Sequence, residues 1–357
     1  MSSDGHHKTI LVTGGAGFIG SAVVRRLVAE GRHRVVTLDA LTYAGHRESL
    51  AEVEGTPNYR FVHLDILDAG GVSALLAEER PDAVMHLAAE SHVDRSIDDP
   101  EAFVRTNVLG TQRLLEAVRR HLADREPAAA ERFRFLHVST DEVYGSLGPD
   151  DPPFTERSAY RPRSPYAASK AAADHLARAY RHTYGLPVIV TNCSNNFGPY
   201  QYPEKLIPLT VLKALAGEPV PVYGDGSNVR DWLYVEDHVS GLLAALERGR
   251  PGETYLIGGG NERSNLEVVR TVLGALNELA PAERDHRQLI AFVSDRPGHD
   301  FRYAVDAGKA RNELGWRAQR GFDEAMRDTV RWFLEHGEWC SAVTRGRYTL
   351  ERLGSPA

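Results

Sequence analysis

Apolar runs of five to seven residues recur along the chain and read as buried strands: TILVT (9–13), RVVTL (34–38), YRFVHL (59–64), AVMHLA (83–88), FRFLHVS (133–139) and PVIVTNC (187–193). Their near-continuous apolar character, without polar alternation, suits a parallel sheet covered on both faces. Between them FIGSAVVRRLVAE (18–30), GVSALLAEE (71–79), EAFVRTNVLGTQRLLEAVRRHL (101–122) and SPYAASKAAADHLARAYRHTYG (164–185) carry helical spacing. Strand and helix in alternation predict an α/β fold, a doubly wound parallel sheet of Rossmann type. Past residue 197 the pattern becomes punctuated by Pro and Gly. NNFGPYQYPEKLIP (195–208) and VYGDGSNVRDWLYVED (222–237) look like binding loops, ADREPAAAER (123–132) like a polar connector, and TYLIGGG (254–260) like one more strand. Helices over 265–279 and 322–335 suggest a smaller lobe interleaved with the sheet.

At 357 residues the chain is long for one core, in keeping with a large unit and a second lobe. Charged residues at 25% and hydrophobic residues at 42% are ordinary for a globular protein, and a net charge of −7 leaves no basic footprint for nucleic acid. Two cysteines, Cys193 and Cys340, stand far apart in no metal-ligand spacing, which fits a reducing compartment and no metal. The polar opening MSSDGHHKTI and the short apolar run after it match neither a signal peptide nor a membrane span. His6 and His7 are assigned to a disordered leader, and the protein to the cytoplasm.

LVTGGAGFIGS places Gly14, Gly17 and Gly20 directly after the first strand and across the start of a helix. Glycines there permit a tight turn and a close approach of backbone to a pyrophosphate seated on the helix N-terminus. A glycine triplet alone is weak, but Asp39 ends the second strand near the position where an acid accepts hydrogen bonds from the adenosine ribose. Its carboxylate disfavours a 2′-phosphate, so NAD is expected rather than NADP. The Gly-x-x-Gly-x-x-Gly spacing resembles extended members of the short-chain dehydrogenase/reductase superfamily, where Asp65 of LDI (64–66) would lie at the adenine edge.

Tyr166 and Lys170 are four apart and share one face of a predicted helix. Lysine beside a phenol favours the phenolate and so makes a base for an alcohol proton. The bare pattern occurs on many solvated helices. Together with the glycines and Thr140 at the end of a central strand, it matches the superfamily's Thr-Tyr-Lys triad. STDEVYG (139–145) then sets Asp141 and Glu142 side by side at the same strand end. In a strand, adjacent side chains point to opposite faces, and an isolated Asp-Glu pair is ordinarily a solvated rim. An epimerase needs only hydride removal and return at one carbon. A dehydratase also needs a base for the proton beside a new ketone and an acid for the departing hydroxyl, which two carboxylates of separated pKa supply. Residue chemistry leaves open which carboxylate does which; Asp141 is read as the acid and Glu142 as the base.

These residues, with DALTYAG, HLAAESHVDRSI, VSTDEVYGSL, SPYAASKA, NNFGPYQYPEKLIPL, YGDGSNVRDWLYVEDH and DRPGHD, resemble the dTDP-glucose 4,6-dehydratases of deoxysugar biosynthesis from about residue 8 to about residue 335. The resemblance implies that NAD+ oxidises C4 as Tyr166 takes the hydroxyl proton. Glu142 then removes the C5 proton, Asp141 protonates the C6 hydroxyl, and hydride returns to C6. It implies a cofactor site of Gly14, Gly17, Phe18, Ile19, Gly20, Asp39, Leu41, Thr42, Asp65, Ile66, Leu87, Ala88, Ala89, Thr106, Tyr166, Lys170 and Asn196. Ser91 and Thr140 would meet the hexose and Asn195 the diphosphate region. Lys205, Leu206, Pro221, Tyr223, Arg230, Asn265, Arg296 and His299 would line the nucleotide end. Arg230 and Arg296 suit bidentate diphosphate binding, and Tyr223 suits stacking on a pyrimidine.

Residues 1–197, with 232–260 returning, are expected to form the NAD-binding domain; 198–231 and 261–340 the nucleotide-sugar lobe; 341–357 a tail. The helices 101–122 and 164–185 resemble those through which family members form a homodimer by a four-helix bundle. His46 stands where the family often has Asn, Phe197 where Tyr is frequent, and His92 and His238 are expected to be structural. Alternatives are a 4,6-dehydratase of CDP-glucose, UDP-glucose or GDP-mannose, a nucleotide-sugar 4-epimerase, or a non-catalytic NAD-binding protein.

Overall fold

In the computed structural model residues 7–345 are described; the expected leader and the last dozen residues lie outside the described residues. In chain order the strands are β1 (Thr9–Thr13), β2 (Arg34–Asp39), β3 (Tyr59–His63), β4 (Ala83–His86), β5 (Arg134–Thr140), β6 (Val188–Cys193), β7 (Asn195–Phe197), β8 (Val220–Tyr223), β9 (Val229–Tyr234), β10 (Thr254–Ile257), β11 (Glu262–Ser264) and β12 (Ile290–Val293). Seven of them form one parallel sheet in the order β10-β6-β5-β4-β1-β2-β3. The chain starts in mid-sheet, runs outward to β3, then crosses back to place β4 on the other side of β1. That reversal opens a crevice beyond the carboxyl ends of β1 and β4, the usual place for a ligand in such sheets.

Both faces of the sheet are covered, which is why its strands read as continuous apolar runs. Ile10, Val12, Met85, Leu136 and Ile189 pack beneath the helices Phe18–Glu30 and Val235–Arg248. Leu11, Val36, Val84, Phe135 and Val188 pack beneath Ala69–Glu79, Thr111–Ala123 and Pro165–Tyr184. A separate core gathers Ile207, Val211, Val222, Trp232, Val268, Val272, Phe322, Met326 and Phe333 around β7, β8 and β9. Its helices Asn265–Leu279 and Phe322–Glu335 have the predicted bounds. The first of these opens on a Ser264–Glu267 capping box, in which each side chain satisfies a free backbone amide of the first turn.

Four expectations change. The single helix over 101–122 is instead Pro100–Phe103, a π-helical stretch Val104–Gly110, and an α-helix Thr111–Ala123. The wider turn brings Thr106 to the crevice, and Gly110 lets the helix close on Ile66, where a Cβ would come within 2.6 Å of that side chain. The polar connector contains the helix Pro127–Arg132. Segment 307–316, placed with the lobe, packs Ala307, Ala310, Leu314 and Trp316 against the Rossmann core, while Trp232 and Tyr234 of β9 belong to the lobe's core. The boundary at 341 falls inside the helix Gly337–Thr344, whose Val343 is fully buried in that same core.

Both cysteines are free and buried in different cores. Among the described residues no helix is long and apolar enough to cross a membrane, and no group of three or more His, Cys, Asp or Glu is arranged to hold a metal ion.

Candidate active site

The crevice at the sheet reversal is a cleft of about 310 Å³. Gly14 turns the chain at its floor with φ +70°, and a Cβ there would stand 2.5 Å from the Ala88 amide nitrogen. A Cβ at Gly20 would meet the Gly14 carbonyl oxygen at 2.0 Å, so both glycines exist for backbone approach. Asp39 is buried at the end of β2; its Oδ2 accepts from the Ala16 amide (2.9 Å) and its Oδ1 from the Leu41 amide (2.8 Å). A dinucleotide fits this cradle: a helix N-terminus faces the cleft, the floor is bare of side chains, and an oriented carboxylate stands at the ribose end. Every expected cofactor residue except one lines the cleft, Asp65, Thr106 and Asn196 included. The exception is Leu41. Its side chain packs on the Rossmann core, and only its amide serves the site, by orienting Asp39.

The far end of the cleft gathers Thr140, Asp141, Glu142, Tyr166 and Lys170. Ser164 caps the helix that carries the last two, its hydroxyl accepting from the Ala167 amide at 3.1 Å, with Pro165 in the first turn. The acid pair does not sit in a strand. Residues Asp141–Tyr144 form a tight 3-10 turn, started by the Thr140 hydroxyl accepting from the Glu142 amide at 3.3 Å. Leaving the strand frees both carboxylates from facing opposite ways, and both border the cleft.

Burial sets the protonation of this cluster. It pushes Asp141 well above the usual carboxylate range, helped by the negative charges of Glu142 and Asp231. It also raises Glu142, but Arg296, Arg230 and Lys205 pull that carboxyl back down. Asp141 is therefore raised further and the better placed to hold a proton, and Glu142 is the one nearer to ionising, a separation the residue types alone left open. The expected lowering of Tyr166 by Lys170 is not found. Burial pushes the phenol well above its ordinary value, Glu142 adds to this, and a hydrogen bond with Thr140 offsets part of it. Lys170 Nζ instead donates to the Val138 carbonyl at 2.9 Å.

A raised carboxyl costs stability wherever the unfolded chain ionises and the folded one does not. For Asp141 that cost is absent below the ordinary aspartate pKa and grows as pH rises toward the higher folded value. Asp141→Asn is thus expected to raise the melting temperature at neutral pH and to leave it unchanged in strong acid, as calorimetry at the two pH values would show. An equal gain at both would assign the effect to packing.

A second cavity of about 210 Å³ adjoins the first, and Ser91, Glu142, Asn195, Glu204 and Lys205 border both. Leu206, Pro221, Tyr223, Arg230, Asn265, Arg296 and His299 line it, so the expected substrate residues are together, with Thr140 on the cleft side. Arg230 is 5% exposed and donates only to main-chain carbonyls, of Val229 (2.7 Å), Asp300 (3.0 Å) and Phe301 (3.3 Å). Its guanidinium lies over the Tyr303 ring at 4.4 Å, and its charge faces Glu142 and the cavity. Arg296 is less free, since Nη1 pairs with Asp94 at 3.2 Å. Tyr223 donates to the same carboxylate at 3.1 Å.

Asp94, Glu90 and Glu204 were not singled out from the sequence, although they lie within HLAAESHVDRSI and NNFGPYQYPEKLIPL. Glu204 pairs with Arg95 at 3.0 Å, and Lys205 donates to the Ser91 carbonyl at 3.2 Å, tying the two motifs across the junction. His92 caps the short helix Val93–Asp98 and also lines the second cavity, so it does more than pack. His238 is fully buried, its imidazole pushed down to about 3 by desolvation. Phe197 repacks against Trp232, Tyr234 and Phe322, and His46 stacks on Tyr202 at 5.3 Å.

The family model described as GDP-mannose 4,6 dehydratase matches residues 11–329. A dTDP-glucose 4,6-dehydratase of Neisseria meningitidis is 56% identical over 352 residues, 98% of this chain and 99% of the relative. The crystal structure of DesIV, a dTDP-glucose 4,6-dehydratase of Streptomyces venezuelae with NAD bound, superposes with a TM-score of 0.85 at 48% identity, covering 94% of this chain and 99% of that one. A UDP-glucose 4-epimerase of Thermus thermophilus in complex with NAD is more distant, at 33% identity, TM-score 0.80, and 92% and 99% coverage.

Proposed function

We propose, on the premise that this chain belongs to the dTDP-glucose 4,6-dehydratase family, that the two joined cavities hold NAD and dTDP-glucose with the reacting sugar at the Glu142 junction. The reaction is an NAD-dependent loss of water from dTDP-glucose that gives the 4-keto-6-deoxy sugar. The observation that carries the residue roles is the Asp141–Glu142 turn beside Tyr166, a buried and a half-buried carboxyl bordering one cleft at one strand end, the first raised further than the second.

Gly14, Gly17 and Gly20 would hold the pyrophosphate, Asp39 the ribose, and Asp65 with Ile66 the adenine side. NAD+ bound there would supply the hydride acceptor for C4 and the hydride source for C6, and it would bring positive charge into the cleft. Tyr166 receives the C4 hydroxyl proton, with Thr140 hydrogen-bonded to the reacting oxygen. Glu142 removes the C5 proton, now acidified by the neighbouring ketone. Asp141, held protonated, gives its proton to the leaving C6 hydroxyl, and water departs. Arg230 neutralises the diphosphate and Lys205 spans the junction, while Tyr223 and the apolar wall of Leu206 and Pro221 take the base. A 4-epimerase has no use for the acid pair, and neither has a non-catalytic NAD-binding protein.

The test is to incubate purified protein with dTDP-glucose and no added cofactor, then weigh the sugar nucleotide. Loss of one water without net redox change is expected, and shows that NAD is carried through purification. An unchanged mass with an altered stereocentre would establish an epimerase. Turnover of CDP-, UDP- or GDP-sugars in preference would move the base assignment alone.

A homodimer belongs to the same proposal. Ile97, Val104, Leu109 and Tyr184 are exposed apolar side chains on the helical segments 93–123 and 165–184, Val104 and Tyr184 being 54% and 56% exposed. A second copy placing the same helices there would complete a four-helix bundle. Val104→Glu with Leu109→Lys is expected to halve the mass seen by light scattering; an unchanged mass would place any interface elsewhere. Two free buried cysteines and the absence of a membrane-spanning helix among the described residues support the cytoplasm as its compartment.

A further inference from the structure

The helix Pro165–Tyr184 carries Tyr166, Lys170, Asp174 and Arg178 at four-residue intervals, one stripe against the sheet. The reaction uses the first two. Asp174 lies one turn beyond Lys170, is fully buried and borders neither cavity. Its Oδ1 accepts from His137 Nε2 on β5 at 3.0 Å, and its Oδ2 accepts from the Tyr160 hydroxyl at 2.7 Å and from Asn192 Nδ2 on β6 at 3.1 Å. Asn192 Nδ2 also reaches the carbonyl of Thr140, at 3.0 Å, so this carboxylate is tied to the start of the acid turn. Lys170 is 6% exposed and its ammonium donates to a neutral carbonyl, that of Val138.

We propose that Asp174 is the buried counter-charge of Lys170, a positioning residue that keeps the ammonium charged against β5, beside the cofactor cleft that Lys170 and Tyr166 both line. The proposal rests on the dehydratase reading above, in which Tyr166 is the base for the C4 hydroxyl and Lys170 lies beside it in the cofactor cleft. A buried ammonium with no nearby anion sheds its proton, and burial already pushes Lys170 down, opposed first by Asp174. Burial raises the Asp174 carboxyl, but hydrogen bonds from His137 and Tyr160 and the Lys170 ammonium bring it down to about 2, so it stays ionised at working pH. The other groups facing this pair supply no equivalent charge. On the same helix Arg178 is turned to Tyr160, to which it donates at 2.7 Å, and His175 packs its ring against the same tyrosine. On β5 and β4, burial pushes His137 and His86 down, with the Asp174 hydrogen bond opposing this at His137. Burial raises Asp141, Cys193, Tyr144 and Tyr160, which disfavours the charged form of each.

Asp174→Asn keeps the shape and removes the charge, so Lys170 is expected to lose its proton at lower pH. The alkaline limb of kcat/KM for dTDP-glucose then moves down by about one pH unit or more, and NAD is released at correspondingly lower pH in the absence of substrate. Asp174→Glu should return the limb toward wild type. Tyr160→Phe removes a hydrogen bond to Asp174 but not its charge, and should leave the limb in place. A loss equal at every pH, or a shift as large in Tyr160→Phe, overturns the proposal. If Asp174→Asn alone does not fold, the double variant with Lys170→Met is expected to fold, because both buried charges leave together; its failure also overturns the proposal. Following NAD release keeps the test independent of the reaction. A wild type inert toward dTDP-glucose would undo the dehydratase assignment while the release curves still judge Asp174.

Discussion

Glu142→Gln is expected to slow turnover of dTDP-glucose by about 10²–10⁴-fold, the usual contribution of a positioned base, while reduced cofactor accumulates on the enzyme. The amide keeps the size and reach of the carboxylate but cannot take the C5 proton. Tyr166 and Lys170 are untouched, so oxidation at C4 still runs and the sugar halts as the ketone. Rapid mixing with dTDP-glucose, read by the absorbance of the reduced cofactor and by the mass of the sugar, measures both halves. Lost turnover without any reduced cofactor would place Glu142 in the oxidation step and remove it from the base role. The wild-type profile carries a sign as well. Burial raises the Glu142 carboxyl despite Arg296, Arg230 and Lys205, so acidification disarms this base at a higher pH than it would a free glutamate.

Tyr166→Phe is expected to give a loss of the same order, about 10²–10⁴-fold, with the opposite intermediate signature: no reduced cofactor and no water loss. The ring stays in place, packed edge-on to Phe103 with centroids 6.2 Å apart, so the melting temperature and the bound NAD should change little. What disappears is the Tyr166 oxygen, which burial favours as the phenol and which must become a phenolate to accept the C4 proton. Cofactor content after purification and a single-turnover absorbance trace check this together. Appearance of the ketone in Tyr166→Phe would show that another group takes the proton. Together the two variants separate oxidation from elimination, the distinction between a dehydratase and an epimerase on this fold.

Strand runs, helical periods and the glycine turn were determined by sequence alone, because each depends on residues close in the chain. The parallel sheet follows from apolar runs that only double-sided burial tolerates, and Gly14 and Gly20 announce a backbone approach no side chain permits. Tyr166 and Lys170 shared a face by helical spacing alone. Tertiary structure decided what depends on environment. The π-helical stretch Val104–Gly110 has the composition of an ordinary helix, and nothing in its spacing announces the wider turn or the close approach of Gly110 to Ile66. The 3-10 turn after Thr140, not strand geometry, lets Asp141 and Glu142 serve one cleft. The distant charges that set them apart, Asp231 on one side and Arg296 and Lys205 on the other, lie 63 to 154 positions away in the chain. Asp174 had no signal beyond its place on the stripe, since burial and the counter-charge it offers Lys170 exist only once the helix lies on β5 and β6. Electrostatic roles are set by desolvation and by neighbours distant in sequence, and the fold alone brings these together.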